Sequence, residues 1–364
     1  MTTTDARPPD TTSIDQGALE AFQQRTLARF VDAGVTIMID LGYRTGLFEA
    51  AALGPATSEE LAARAGLSER HVREWLGAVT TAGILHLDRD TGRHVLPPEH
   101  AALITGDTAM NLATLAPLVV HLAGFVDEVA EAFRTGGGVP YQHYRPGFTS
   151  AMDETGRRRY DAQLVDAYLP LADGLVDTLE AGTRATDIGC GTGHCLNIMA
   201  RRFPASTFVG YDLAADAIDG GRAEAAALGL TNVTFEVLDV RELPTEPPFG
   251  VVFAFDAIHD QVDPHGVLAR VHDALEPGGT FFMCDIKASS NLEDNLANPL
   301  APLLYSISTL HCMEISLAGD GAALGTVWGE QLACRLLDEA GFTGLAVHEV
   351  EHDPLNLVYT CRRP

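Results

Sequence analysis

Apolar positions follow two different rhythms along the chain. From Ala18 to about Leu53 they recur at helical spacing (Leu19, Phe22, Leu27, Phe30, Ile37, Ile39, Leu41, Leu47), which predicts two or more helices. Between 57 and 96 the pattern sharpens. Thr57 or Ser58 can cap a short helix, Glu59–Ala65, and Gly66-Leu67 turns the chain. Ser68 is placed to cap a second helix, Glu69 to about Ala82, with Val72, Trp75, Leu76 and Val79 on one side. Ile84–Leu87, a turn at Asp88–Gly92 and His94–Leu96 then read as a β-hairpin, completing a winged helix. Residues 100–182 read as mostly helical, broken by Gly136-Gly137-Gly138-Val139-Pro140 and the aromatics Tyr141, His143 and Tyr144. That break is either a mobile pocket cover or a plain interhelix loop.

From Arg184 onward, strand and helix patterns alternate. Strand-like runs are Ala185–Ile188, Thr207–Tyr211, Val233–Val237, Val251–Phe255, Thr280–Asp285, Leu345–Glu349 and Leu355–Cys361, with amphipathic helical stretches between most of them. The expected fold class is therefore α/β, a Rossmann-like doubly wound sheet behind an N-terminal helical and winged-helix domain. The expected layout is a tail over 1–15, a winged-helix domain over 16–105, connecting helices and pocket cover over 106–165, and a catalytic domain over 166–364 with an insertion at 287–327.

Composition narrows the function classes. The 364 residues carry 50 acids against 24 bases, a formal charge of −26, which opposes nonspecific phosphate binding. Across 58–99 seven acids stand against five arginines, so a DNA role for the winged helix is disfavoured and nucleic acid is not an expected partner. The bases are 23 Arg and a single Lys, Lys287, and no Gly-Lys-Ser/Thr occurs, which excludes a Walker-type loop. No run of 18 apolar residues is present, so no membrane span is expected. The polar start MTTTDARPPD and six cysteines without a CxxC read as a chain without signal or transit peptide, holding reduced thiols in the cytoplasm.

Candidate chemistry begins at Asp187-Ile188-Gly189-Cys190-Gly191-Thr192-Gly193, where glycines let the backbone turn tightly and approach a ligand. Asp212, nineteen positions after Gly193, ends the second strand, where a carboxylate can accept two ribose hydroxyls. Asp239 ends the third strand and suits an adenine amino group; Glu276-Pro277-Gly278-Gly279 precedes the fifth. Together these motifs resemble the class I S-adenosylmethionine (SAM)-dependent methyltransferases over about residues 165–364. The acid leading the first motif and the Pro-Gly-Gly turn carry the resemblance, and the glycine register does not match the GxGxxG of NAD enzymes. The resemblance implies SAM as cofactor. Asp187, Gly189, Gly191 and Gly193 would line its methionine side, Asp212 with Leu213 the ribose, Asp239 with Val240 the adenine, and Phe255 the sulfonium.

The end of the fourth strand runs Phe255-Asp256-Ala257-Ile258-His259-Asp260-Gln261. The winged helix, the helices and the His-Asp pair resemble small-molecule O-methyltransferases, in which the matching histidine, here His259, removes a hydroxyl proton. The insertion adds a second reading. Its apolar run Pro299–Leu310 would carry His311 toward His259, and His259, Asp260 and His311 would form a facial triad for Zn or Fe. That pattern looks like the metal-dependent α-keto-acid C-methyltransferases, with Cys312 either an extra soft ligand or packing.

The favoured expectation is metal-assisted C-methylation of a 2-oxo acid at C3, in secondary metabolism. The alternatives are metal-free O-methylation of a phenolic or hydroxylated metabolite, and a winged-helix regulator that senses a ligand. The apolar helical surface of residues 16–55 predicts a homodimer.

Overall fold

The computed structural model describes residues 14–351 and 353–364. The expected tail over 1–15 lies mostly outside the described residues. The described residues divide into two compact units, one over 14–106 and 110–116, the other over 107–109 and from 117 onward. Residues 117–165, expected as a separate connecting segment, belong to the second unit, with the sheet.

In the first unit the predicted helices form as α1 (Gln16–Arg44), α2 (Leu47–Ala52), α3 (Ser58–Ala65) and α4 (Glu69–Thr81), followed by the hairpin β1 (His86–Asp88) and β2 (Arg93–Val95) and by α5 (Pro98–Ile104). Thr57 caps α3 through a capping box: its hydroxyl accepts from Glu60 N while Glu60 reaches back to Thr57 N. Ser68 occupies the N-cap of α4, but its side chain makes no capping bond there. Leu61, Val72, Leu76 and Val79 bury against Phe48 and Trp75 in one core.

The second unit begins with helices α6 (Ala116–Ala123), α7 (Val126–Thr135), α8 (Tyr141–Tyr144), α9 (Gly147–Gln163) and α10 (Leu175–Ala181). The sheet strands are β3 (Arg184–Ile188), β4 (Thr207–Asp212), β5 (Val233–Val237), β6 (Phe249–Phe255), β7 (Leu275–Ile286), β8 (Thr343–Glu349) and β9 (Asn356–Arg362). Helices α11 (His194–Arg202), α12 (Ala215–Ala227), α13 (Pro264–Ala274) and α17 (Glu330–Glu339) connect strands, and α14 (Leu292–Asn295), α15 (Ala301–Ile307) and α16 (Met313–Leu317) form the insertion.

The strand order is β5-β4-β3-β6-β7-β9-β8, parallel from β5 to β7, with β9 antiparallel to both neighbours. A sheet buried on both faces needs apolar residues at successive positions. Phe281 and Met283 accordingly join the core under α13 and α17, while Phe282 and Cys284 join the core under α9–α12. The order reverses between β3 and β6, so their C-terminal ends form the crevice where ligands bind in such sheets. Among the described residues no single helix is long and apolar enough to cross a membrane.

Candidate active site

At the end of β3 the chain must turn sharply, and Gly189, Gly191 and Gly193 do so at φ of 68°, 54° and 69°. These backbone conformations cost an L-residue about 1–2 kcal/mol. Two of them are also sterically closed: a Cβ at Gly193 would lie 2.1 Å from Phe235 Cε1, and one at Gly189 would lie 2.7 Å from Ala257 Cβ. Asp212, at the tip of β4, pins this turn from the side. Its Oδ2 accepts from Gly191 N and its Oδ1 from Ala214 N, both at 2.8 Å. Burial raises the Asp212 carboxyl above its ordinary value, and those two donors offset only part of the rise.

Asp187 is fully buried, and its Oδ1 has no hydrogen-bond partner. Burial pushes its carboxyl well above the usual range, with Asp212 adding to the effect. A buried acceptor left without a donor is costly. The strand-end acid, the open backbone at Gly191 and the paired carboxylate of Asp212 fit the cationic amino-acid and ribose parts of SAM. Leu213 follows in an exposed position. Asp239 is less open than its sequence position suggests. Arg241 binds both its oxygens, at 3.1 Å and 2.6 Å, and holds the carboxyl below the ordinary range. Val240 beside it is buried. Phe255 stands in an aromatic group with Tyr160 (5.4 Å), Phe253 and Phe282 rather than as a lone ring.

Beyond Phe255 the backbone bends at Asp256, which adopts φ 50°, a region where Asp is among the tolerated non-glycine residues. Asn356 donates to Asp256 Oδ1 at 2.6 Å, and burial pushes the carboxyl up to about 7 against the opposing pull of Arg159. After that bend, Ala257 and Ile258 bury and His259 enters the interior, 3% exposed. Its Nδ1 lies 2.7 Å from Asp285 Oδ1. The same oxygen accepts from Trp328 Nε1 at 3.0 Å and Ile286 N at 2.8 Å, so the carboxylate is itself held in place. Burial pulls the imidazole's pKa down, but Asp285 and Asp260 outweigh it and hold it well above the ordinary histidine value. With Nδ1 committed, Nε2 faces Asp260 Oδ1 at 3.4 Å.

Cys312 completes this cluster. The ligand atoms of His259, Asp260 and Cys312 all lie within 4.8 Å of one another, and Thr326 Oγ1 donates to Cys312 Sγ at 3.0 Å. Asp260 does not cap the following helix; Asp263 does, accepting from Gly266 N. His311, expected as the third ligand, is placed differently. It sits with Cys312 on a π-turn, Ser308–Cys312, between α15 and α16. Its ring stacks on Phe148 at 3.5 Å and 14°, with Tyr144 edge-on at 4.7 Å. Neither ring nitrogen has a partner, and burial, with the His259 charge, holds it well below the ordinary histidine value. The reason is packing: Ile307 and Leu310 dock on the apolar faces of α6–α9, which leaves His311 against Phe148.

The glycine triplet links α7 to α8. Gly136 ends α7 at φ 77°, and Gly138 lies so close to α16 that a Cβ would fall 2.0 Å from Glu314 O. Asp285 and Trp328 carry little signal in the sequence. The available signal was one acid ending the otherwise apolar run Phe281–Cys284.

Two stretches of the chain match known families. Residues 179–341 match the "Methyltransferase domain" model, and residues 33–106 the "Rv2258c-like winged HTH domain" model. The chain is 36% identical over 141 residues to aklanonic acid methyltransferase DauC of Streptomyces sp. (strain C5), covering 37% of this chain and 63% of that one. It is 30% identical over 141 residues to trans-aconitate 2-methyltransferase of Methylobacterium nodulans (strain LMG 21967 / CNCM I-2342 / ORS 2060), covering 38% and 50%. The chain thus spans between half and just under two thirds of the length of these two relatives. The fold is similar to that of human N-acetylserotonin methyltransferase in complex with SAM, with a TM-score of 0.67 and 16% identity over 97% of this chain and 99% of that one. Residues 179–341 are thus similar to the methyltransferase domain family, and residues 33–106 to the Rv2258c-like winged helix–turn–helix family.

Proposed function

We propose that this chain transfers the methyl group of SAM to a small-molecule acceptor that loses a proton at the His259–Asp260 end of β6. The observation that carries this reading is the buried His259–Asp285 pair, two residues beyond the Ala257 that abuts Gly189 of the glycine turn. SAM, when bound, supplies a methyl carbon already activated by a cationic sulfur. The chain's own task is to hold that donor on the β3 and β4 tips, exclude water and align the acceptor. Asp187 and Asp212 suit the donor's cationic and hydroxyl groups; Asp285 and Trp328 fix the imidazole of His259 in one orientation.

The favoured acceptor is a 2-oxo acid methylated at C3. The grouping of His259, Asp260 and Cys312 supports it, because one nitrogen, one oxygen and one sulfur lie within 4.8 Å of one another. A divalent cation held there would act as a Lewis acid toward the acceptor's carboxylate and keto oxygens and make C3–H more acidic. The second reading is O-methylation of a phenolic or hydroxylated metabolite. The Asp285–His259 contact supports it: Asp285 orients the imidazole and makes it more basic, so that once Nε2 has released its own proton it is suited to take one from a hydroxyl.

A screen of phenylpyruvate, pyruvate and simple phenols with SAM, with and without a chelator, separates the two by product mass. Chelator-sensitive C-methylated 2-oxo acids are expected. Chelator-insensitive methoxy products would favour the second reading. Absence of binding to SAM and its demethylated product by calorimetry would overturn both. We assign assembly as a homodimer to the exposed apolar positions of α1.

A further inference from the structure

We propose that the third protein ligand of a cation at this site is the sulfur of Cys312, and that His311 is not a ligand. The inference rests on the metal-assisted reading and sharpens it to a nitrogen–oxygen–sulfur set suited to Zn2+.

The geometry supports this set from four directions. His259 Nε2 and Asp260 Oδ1 are 3.4 Å apart. Bonds of about 2.0–2.3 Å in a tetrahedral zinc site place neighbouring ligand atoms roughly 3.5 Å apart, so this pair is already at coordination spacing. Cys312 Sγ lies in the same group, within 4.8 Å, and His311 does not belong to it. The outer shell is built as well. Asp285 accepts at His259 Nδ1 and so leaves Nε2 directed at Asp260, and Thr326 donates to Cys312 Sγ. Finally, Asp260 Oδ1 makes no hydrogen bond and faces His259 Nε2 at 3.4 Å, a contact that a cation held between the two atoms would replace.

His311 is excluded by its surroundings. Its ring lies face to face with Phe148 at 3.5 Å and is closed in by Tyr144. Reaching the cluster would break that stack. The π-turn is what makes Cys312 available. The extra residue in one turn sets Cys312 beside His259 while its neighbour His311 enters the aromatic layer. Three protein ligands of mixed softness with an open position describe a reactive zinc site rather than a closed structural one.

The test uses the purified full chain, stripped with dipicolinate and titrated with Co2+ as a spectroscopic stand-in for Zn2+. The wild type is expected to bind one Co2+ per chain and to show a thiolate-to-cobalt charge-transfer band in the near ultraviolet. Cys312→Ser should lose the band and weaken binding at least tenfold, and His311→Ala should keep both. Cys312→Asp, which retains a ligand atom, should bind cobalt without the band and covers the case in which the serine variant does not fold. Calorimetric binding of S-adenosylhomocysteine confirms the fold of every variant. If His311→Ala releases the metal while Cys312→Ser keeps it, the inference falls and the metal-assisted reading stands. If the wild type binds no stoichiometric Co2+ or Zn2+, both fall and the His259-base reading remains.

Discussion

Gly193 and Gly229 show how the same backbone angle does different work at two positions. Both have positive φ, 69° and 67°, but a Cβ at Gly193 would strike Phe235 while one at Gly229 would meet nothing within 4 Å. Gly229→Ala should cost only the conformational penalty, about 1 kcal/mol in urea unfolding, and leave S-adenosylhomocysteine binding intact. Gly193→Ala should destabilise by more and abolish that binding, because Phe235 and the turn must both move. Glu224 carries a separate prediction. It accepts from Arg157, His194 and Asn197, and despite burial these partners lower its carboxyl from 4.5 to about 2. A carboxylate lowered in the folded state stabilises it fully above the unfolded value and loses that contribution as pH falls toward the folded one. The stability gap between wild type and Glu224→Gln should therefore be largest near pH 6 and shrink between pH 4.5 and pH 2, by on the order of 3 kcal/mol. Melting curves across that range check it; a gap independent of pH would contradict it.

Among the elements, α3 shows a cap that also fastens a neighbour. Thr57 and Glu60 close the capping box, and Arg93 on β2 donates to Glu60 Oε1 at 2.7 Å. Thr57→Ala should cost about 1 kcal/mol, read by chemical denaturation, with helix content falling little. The capping signal was legible because it is local: Thr57 and Glu60 stand three residues apart. The absent bond at Ser68 was not legible, since whether a side chain swings onto a helix end depends on its surroundings. The insertion behaves likewise. Its apolar run correctly announced a packed helix, but which of two adjacent residues, His311 or Cys312, would face His259 depended on one extra residue in a turn. No residue pattern marks a π-turn, because it is chosen by how Ile307, Leu310 and Ile315 dock on α6–α9.

For the whole molecule, the acidic balance and the exposed face of α1 make the main expectations. Phe22, Phe30 and Val31 are 55%, 70% and 62% exposed, a run of large apolar side chains that water solvates poorly. Light scattering should report a dimer, and Phe30→Glu should shift it toward monomer without altering S-adenosylhomocysteine binding. A wild-type monomer at micromolar concentration would remove that expectation.

The sequence by itself determined the alternation of strand and helix, the winged helix, the glycine turn with its following acid, and the His-Asp pair at the end of β6. These are short-range patterns, set by period, turn chemistry and spacing within a few residues. Only the tertiary structure decided which groups meet: Asp285 on His259, Trp328 on Asp285, Arg241 on Asp239, Asn356 on Asp256, and Cys312 in place of His311 beside Asp260. Apart from the local Arg241–Asp239 pair, those contacts join residues 26 to 100 positions apart, through strand order and helix docking that no local pattern encodes. Packing then fixes each side chain in the one orientation its neighbours leave open.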